Sequence, residues 1–361
     1  MAKVIIIQQV FNSRKWMELV YPAMVNQTYK DTEIIAQIVS DDGGCKEYIQ
    51  QHFPQIKILE PGYNIGFAKG HNEIFASTDA EFYQLVNPDL ILEPDYIQRM
   101  VAEFEKEPNL GAATGKLLQY KFDTKEKTKT IDTTGILMSR NGRARDRGQY
   151  EEDTGQYDNQ IEVIGVSGAG PMYRKSALDA IKMPKMGSQN TVDSSQFNPH
   201  TTPTTDNRLL TTDFEYFDED FHSYWEDTDM SLALQNQGFE CRYVPSAVAF
   251  HGRTAGSSKE GYKNVGAFVK HHQNFSSWIK QLNYKNHMFV VVKNFPKFYW
   301  KFFVREFFML GYVVVFEIST LKILSTLFKQ FPLMWKKRKW IQRHRKSLEW
   351  VKLLHNKGVL D

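Results

Sequence analysis

Val4-Ile5-Ile6-Ile7-Gln8-Gln9-Val10, followed by Phe11-Asn12-Ser13, is the stretch from which the fold can be read. A short β-branched apolar run of this kind predicts a buried strand. Residues 14–27 behind it read as a helix whose proline bends it or marks its start. The rhythm repeats outward. A strand over 33–40 closes on Asp41-Asp42-Gly43-Gly44, then come a helix over 46–53, a strand over 56–60 and a helix over 67–77. A strand over 81–86 and a helix over 94–106, with proline near its first turn, complete the series. Such βα repeats with short connections predict an α/β fold with a mostly parallel sheet covered by helices. Ligands in these sheets lie beyond the carboxyl ends of the strands, which directs attention to loops 11–13, 41–44, 62–66 and 87–89.

The loop after the first strand contains no glycine, and the chain has no G-x-x-x-x-G-K-[ST] stretch. Dinucleotide oxidoreductases and P-loop nucleotidases need those glycines to bring backbone N–H groups to phosphate, so neither is expected and any phosphate is handled by another device. The net charge of +3 hides an asymmetry: residues 293–361 carry +11 and the remainder −8. An acidic body with a basic tail rules out a uniformly basic nucleic-acid binder, and no nucleic-acid partner is expected. Two cysteines, Cys45 and Cys241, cannot build a disulfide scaffold and fit a reducing compartment. The apolar run at 4–7 is too short for a signal peptide, so the chain is expected to begin and remain in the cytoplasm.

Residues 120–165 are polar and rich in turns, an irregular β excursion, and a short helix follows near 176–181. Segment 187–213, rich in Ser, Thr, Asn, Gln and Pro, is expected to be a mobile loop. A helix over 225–237 and a strand over 240–250, ending at His251, follow it.

Several residues are suited to chemistry. Asp89, in Asn87-Pro88-Asp89 directly after a strand, is placed to bind Mg2+ or Mn2+, although the three residues also make an ordinary turn. His251, at the end of another strand, is a second candidate ligand or simply a polar residue. Glu226-Asp227-Thr228-Asp229 opens a helix, where carboxylates also serve as caps. Neighbouring helical side chains point about 100° apart, so Glu226 and Asp227 take different roles, one a base and the other holding structure or acceptor. In Asn64-Ile65-Gly66-Phe67-Ala68-Lys69-Gly70-His71-Asn72, Gly66 and Gly70 allow close backbone approach and Lys69 adds a cation near a helix start.

Together these segments resemble the family-2 glycosyltransferases, in particular their rhamnosyltransferase-like branch, over nearly the whole chain. Gln27-Thr28-Tyr29-Lys30-Asp31 and Ser40-Asp41-Asp42-Gly43 are similar to the family's donor-nucleotide segment, and Asn64-x-Gly66-Phe67-Ala68-x-Gly70-x-Asn72 to its N-x-G-F-A-x-G-x-N segment. Asn87-Pro88-Asp89 stands at the D-x-D-type metal motif. Ser167-Gly168-Ala169-Gly170 and 217–229 resemble the acceptor-side and catalytic segments, and 245–251 the segment whose histidine completes the metal site. The resemblance implies a GT-A fold, Rossmann-like, and an inverting transferase. Its donor, dTDP-rhamnose or a UDP-sugar by subgroup, would meet Asn12, Asp41, Asn64, Gly66, Lys69 and Asn87. Asp89 and His251 would hold the metal, Asp227 would be the base, and Gly168, Trp225 and Glu226 would face the acceptor. Ala233 departs from the family, which has an arginine there, and Asn87 replaces the first acid of D-x-D.

The implied organisation is a transferase domain over 1–285, with a nucleotide-binding half to 120 and an acceptor half beyond, followed by an amphipathic helical tail over 286–361. Aromatics from Phe298 to Phe316 alternate with basic residues, and Lys336-Lys337-Arg338-Lys339 with Trp335, Trp340 and Trp350 suits anionic headgroups. The expectation is a peripheral enzyme at the cytoplasmic face of a membrane, glycosylating a lipid-linked or polysaccharide acceptor in cell-envelope synthesis. A chain cut before Val290 is expected to keep donor binding. The rival readings are a non-catalytic glycan- or nucleotide-binding relative and a phosphate transferase.

Overall fold

Nine strands form the main sheet of the computed structural model, which describes residues 3–11, 13–40, 43–187, 212–253 and 275–355. The first half runs β1 (Val4–Val10), α1 (Met17–Val25), β2 (Thr32–Ile38), α2 (Cys45–His52), β3 (Lys57–Leu59), α3 (Phe67–Ser77) and β4 (Phe82–Leu85). It continues through β5 (Leu90–Leu92), α4 (Tyr96–Lys106), β6 (Leu110–Lys121), β7 (Glu126–Thr133), β8 (Ile136–Met138) and β9 (Ala144–Asp146). Then come β10 (Pro171–Arg174), α5 (Lys175–Ile181), β11 (Met183–Pro184), β12 (Phe214–Glu215), α6 (Glu226–Asn236) and β13 (Glu240–His251). Three helices end the chain: α7 (Ser277–Asn294), α8 (Trp300–Phe316) and α9 (Ile323–His344). The expected proline lies inside α1, at Pro22, and residues 14–16 form a separate 3-10 turn.

The sheet order is β3-β2-β1-β4-β10-β6-β13-β5, with β7 beside β6. β3, β2, β1, β4, β6 and β13 point one way, while β10, β5 and β7 run against them. Alternation along β1 sends Val4 and Ile6 into one core with Met17, Tyr21 and Phe104, and Ile5 and Ile7 into another with Ile74, Tyr83 and Met230. β6 begins Leu-Gly-Ala-Ala-Thr-Gly, a composition with little strand signal, yet it is buried on both faces. Small residues are needed there: a Cβ at Gly115 would stand 2.3 Å from the Ala247 carbonyl and 2.5 Å from the Tyr96 ring.

The C-terminal helices are not a separate appendage. Helix α7 runs through residue 285, and Phe289, Val290, Val291, Phe295, Met334 and Trp350 form a third core with Phe221 and Leu232. Trp350 is 1% exposed and donates to Asn236 Oδ1 at 2.9 Å, so it does not face a headgroup layer. Lys337 is buried as well, and Arg338 donates to the Val292 and Phe295 carbonyls at 2.7 Å. Of the basic run, Lys336 and Lys339 are exposed and Arg338 is half-buried. Most of the proposed 187–213 loop, residues 188–211, lies outside the described residues.

Candidate functional site

Asp89 and His251 are brought together by strand register. β5 pairs antiparallel with β13 so that Leu90 faces His251, and the Gly252 N–H donates to the Asp89 carbonyl at 2.9 Å. His251 Nε2 lies 3.2 Å from Asp89 Oδ1, while Nδ1 meets Asp132 Oδ2 at 2.8 Å. Asp132 was not visible to sequence reasoning. It is the extra residue where the β6–β7 pairing skips between Leu117–Thr133 and Leu118–Ile131, and such irregularities re-aim side chains. Arg253 then bridges Asp132 Oδ1 at 3.0 Å and Asp146 Oδ2 at 2.6 Å.

These groups tune one another. Burial pushes the Asp132 carboxyl up, but His251 and Arg253 outweigh it and hold it below the usual range. Burial opposes a charged His251 imidazole, yet Asp132 and Asp89 raise it to about 10. Asp89 itself is lowered, His251 outweighing its burial. Among the described residues no group of three or more His, Cys, Asp or Glu side chains is placed to hold a metal ion. A cation here would meet one carboxylate and, once the imidazole gives up a proton, one ring nitrogen, the other being fixed by Asp132.

Across the sheet edge, Asp227 sits in the first turn of α6. Its Oδ2 accepts from the Gly168 N–H at 2.9 Å, and its Oδ1 from the Thr228 N–H at 2.6 Å and hydroxyl at 3.2 Å. A Cβ at Gly168 would stand 3.3 Å from the Asp227 side chain, so glycine permits this approach. Burial raises the Asp227 carboxyl more than those bonds lower it. Glu226 is raised further, to about 8, by burial and by Asp227, and its buried Oε2 has no hydrogen-bonding partner among the described residues. Asp229 is committed elsewhere: Lys293 and Asn294 hold it, each at 2.7 Å.

Two links join these clusters. The Asn87 N–H donates to the Ala169 carbonyl at 2.8 Å, tying the Asp89 turn to the Gly168 loop. Asp146, paired with Arg253, also raises Asp227 through space. Asn12 and Asp41 lie outside the described residues. Asn64 Oδ1 accepts from the Gly66 N–H at 3.0 Å in a tight turn before α3, where Gly66 has φ +81°. A Cβ there would meet His222 at 2.7 Å. Gly70 serves packing, since a Cβ would collide with Gln9 and Gln37. Lys69 Nζ donates to Tyr63 Oη at 2.9 Å. Asn72 clamps the Phe217 backbone, donating to its carbonyl and accepting from its N–H, each at 2.8 Å, which joins the 64–72 segment to the run before α6.

Trp225 enters α6 with a left-handed backbone, as do His222 and Tyr224 just before it. Such residues cost about 1 to 3 kcal/mol each and persist where surroundings hold them. The holders come from α7. Asn286 donates to the carbonyls of Phe221 at 3.0 Å and of Ser223 and Tyr224 at 2.8 Å, and Asn283 accepts from the Trp225 indole at 3.2 Å. Ala233, where an arginine is the expectation, lines a small cavity beside Asp229 and Lys293. Lys293 supplies the cation there, bonded to both Asp229 and Asp218.

Residues 5–182 match the family model described as Glycosyl transferase family 2. An uncharacterized glycosyltransferase of Haemophilus influenzae is 27% identical over 108 residues, 28% of this chain and 32% of that protein. This chain therefore spans about a third of the length of that curated relative. Among solved structures, GalNAc-T7 with UDP, GalNAc and Mn2+ superposes with a TM-score of 0.55 at 10% identity, over 85% of this chain and 50% of that one. S. aureus TarS aligns at a TM-score of 0.44 and 11% identity, over 80% of this chain and 43% of that one. With the GT-A architecture and the family match on the same strands and loops, residues 5–182 carry a family-2 glycosyltransferase domain.

Proposed function

We propose that the chain transfers a sugar from a nucleoside-diphosphate sugar to an acceptor hydroxyl with inversion at the anomeric carbon. The observation that carries this reading is the tie, through the Asn87 N–H and the Ala169 carbonyl, between the Asp89–His251 pair and the Gly168–Asp227 pair. Asp227 takes the proton of the acceptor hydroxyl as that oxygen bonds to the anomeric carbon. The bond from carbon to diphosphate breaks with its electron pair leaving on the diphosphate. A single carboxylate base, with no enzyme nucleophile, gives inversion. Glu226, protonated at neutral pH, donates from its unpartnered oxygen to hold the acceptor. Asp89 and His251 would hold Mg2+ or Mn2+, which supplies Lewis-acid neutralisation of the leaving diphosphate when bound. The Mn2+ and UDP of GalNAc-T7, seen on the same fold, support that choice.

The donors to test are dTDP-rhamnose and UDP-sugars, and the acceptors are lipid-linked or polysaccharide glycans of the cell envelope. The experiment is a donor screen in which nucleotide release and product are both analysed. Nucleoside diphosphate with a glycosylated acceptor supports the reading. A phosphorylated acceptor, or donor binding without turnover for every donor and acceptor pair, overturns it.

A further inference from the structure

Helix α8 breaks the rule for a surface helix. It packs inward through Phe302, Arg305 and Val313, so its opposite face should be polar. That face instead exposes Phe303, Phe307, Leu310 and Val314, a stripe at helical spacing. The chain then bends by 115° between α8 and the segment that contains α9, and the bend exposes Val315 at 70% and Ile318 at 71%. No single helix among the described residues is long and apolar enough to cross a membrane.

The charge around this surface has one sign. On α9 and the turn before it, Lys322, Lys329 and Lys336 recur every seventh residue, making a solvent-facing stripe that Arg343 extends. Beside it Phe328, Phe331 and Trp335 form an exposed aromatic stripe at three- and four-residue spacing. Among the described residues between Trp300 and Lys346, no carboxylate is exposed. Glu306 turns to Arg305, and Glu317 accepts from Tyr312 at 3.1 Å. A second copy of this face would bring like charge against like charge. An anionic bilayer complements both stripes, its headgroups facing the lysines and its acyl boundary the aromatic and aliphatic side chains.

We infer that the α8–α9 bend is a membrane-docking element, with Val315 and Ile318 entering the outer acyl layer of an anionic leaflet and Lys329 and Lys336 resting on its headgroups. Lys337 and Arg338 take no part, because they are bonded inside the protein. The partner is a lipid surface, recognised by sign of charge and apolar depth, and this does not depend on the donor chemistry above.

The test is flotation of the full chain with vesicles of phosphatidylglycerol and phosphatidylcholine, or of phosphatidylcholine alone, at low and high salt. Binding to the anionic vesicles is expected at low salt. K329Q/K336Q should weaken it about 30-fold, from about 1 kcal/mol per lysine, and the deficit should fade as salt screens the charges. V315S/I318S should weaken binding at both salt concentrations, with an unchanged circular dichroism melt because both side chains are already in solvent. Three outcomes overturn the inference: no flotation of the full chain at low salt, a dimer in solution that V315S/I318S dissolves, or resistance of the native protein to alkaline extraction. Flotation without sugar transfer would sink the enzymatic reading and leave the docking element standing.

Discussion

Asp227 and Glu226 are adjacent carboxylates with different fates. Both oxygens of Asp227 accept backbone N–H groups, which fixes its orientation, while burial keeps its proton affinity above that of a free aspartate. A base acts in its ionised form, so transfer should rise with pH through a pKa above the ordinary carboxylate range and then level. Asp227→Asn should lower transfer by at least ~100-fold while donor affinity, measured by calorimetry, stays close to the parent value. Near-parental transfer would remove Asp227 from the base role. Glu226 at about 8 is neutral at pH 7, so Glu226→Gln, which keeps a neutral donor, should retain far more activity than Glu226→Ala. Equal loss in the two variants would mean that Glu226 acts as a charge. For Asp132, the expected consequence of Asp132→Asn is a fall of about 10- to 100-fold in Mn2+ affinity, because the histidine loses the partner that orients it. Titration of Mn2+ in the presence of nucleotide measures it, and an unchanged affinity would separate Asp132 from the cation site.

At the scale of elements, the segment before α6 is held from the C-terminal side. Lys337 on α9 meets Glu215 at 2.7 Å, Asp218 at 2.6 Å and Asp220 at 2.7 Å, all buried, and Lys293 on α7 meets Asp218 and Asp229. Acids that read as part of an acceptor and catalytic run in the sequence are therefore largely spent on anchoring two helices. Burying such charges is costly unless they stay paired, and removing one partner costs about 3 to 5 kcal/mol. Lys337→Met should lower stability by about that amount in urea denaturation, with Lys336→Met on the exposed side as the control. Equal midpoints for the two variants would show that the cluster adapts by taking up protons.

For the whole molecule, the third core makes the tail a structural part of the site. A chain cut before Val290 loses Lys293, Asn294 and Lys337 together, and with them Phe295, Met334 and Trp350. It should precipitate or unfold without cooperativity, contrary to the expectation from composition that it would keep its donor site. A soluble, cooperatively melting fragment that binds nucleotide, tested by size exclusion and thermal melting, would show instead that the tail is an independent unit.

What the sequence determined by itself is whatever depends on neighbours along the chain. The β1 run, the α3 segment from Phe67 to Ser77 and the strand ending at His251 declare themselves by periodicity and punctuation, and the GT-A architecture follows from their order. What only the tertiary structure decided depends on partners far apart in sequence. β6 and β10 carry weak local signals and are strands because their neighbours bury them. Asp132 enters the site through a skipped pair in a ladder, and Lys337 leaves the solvent because three carboxylates wait 117 to 122 residues away. A lysine carries the same formal charge on a headgroup as in a buried cluster. Its sequence neighbours do not distinguish the two; the desolvation and pairing that do are properties of the folded chain.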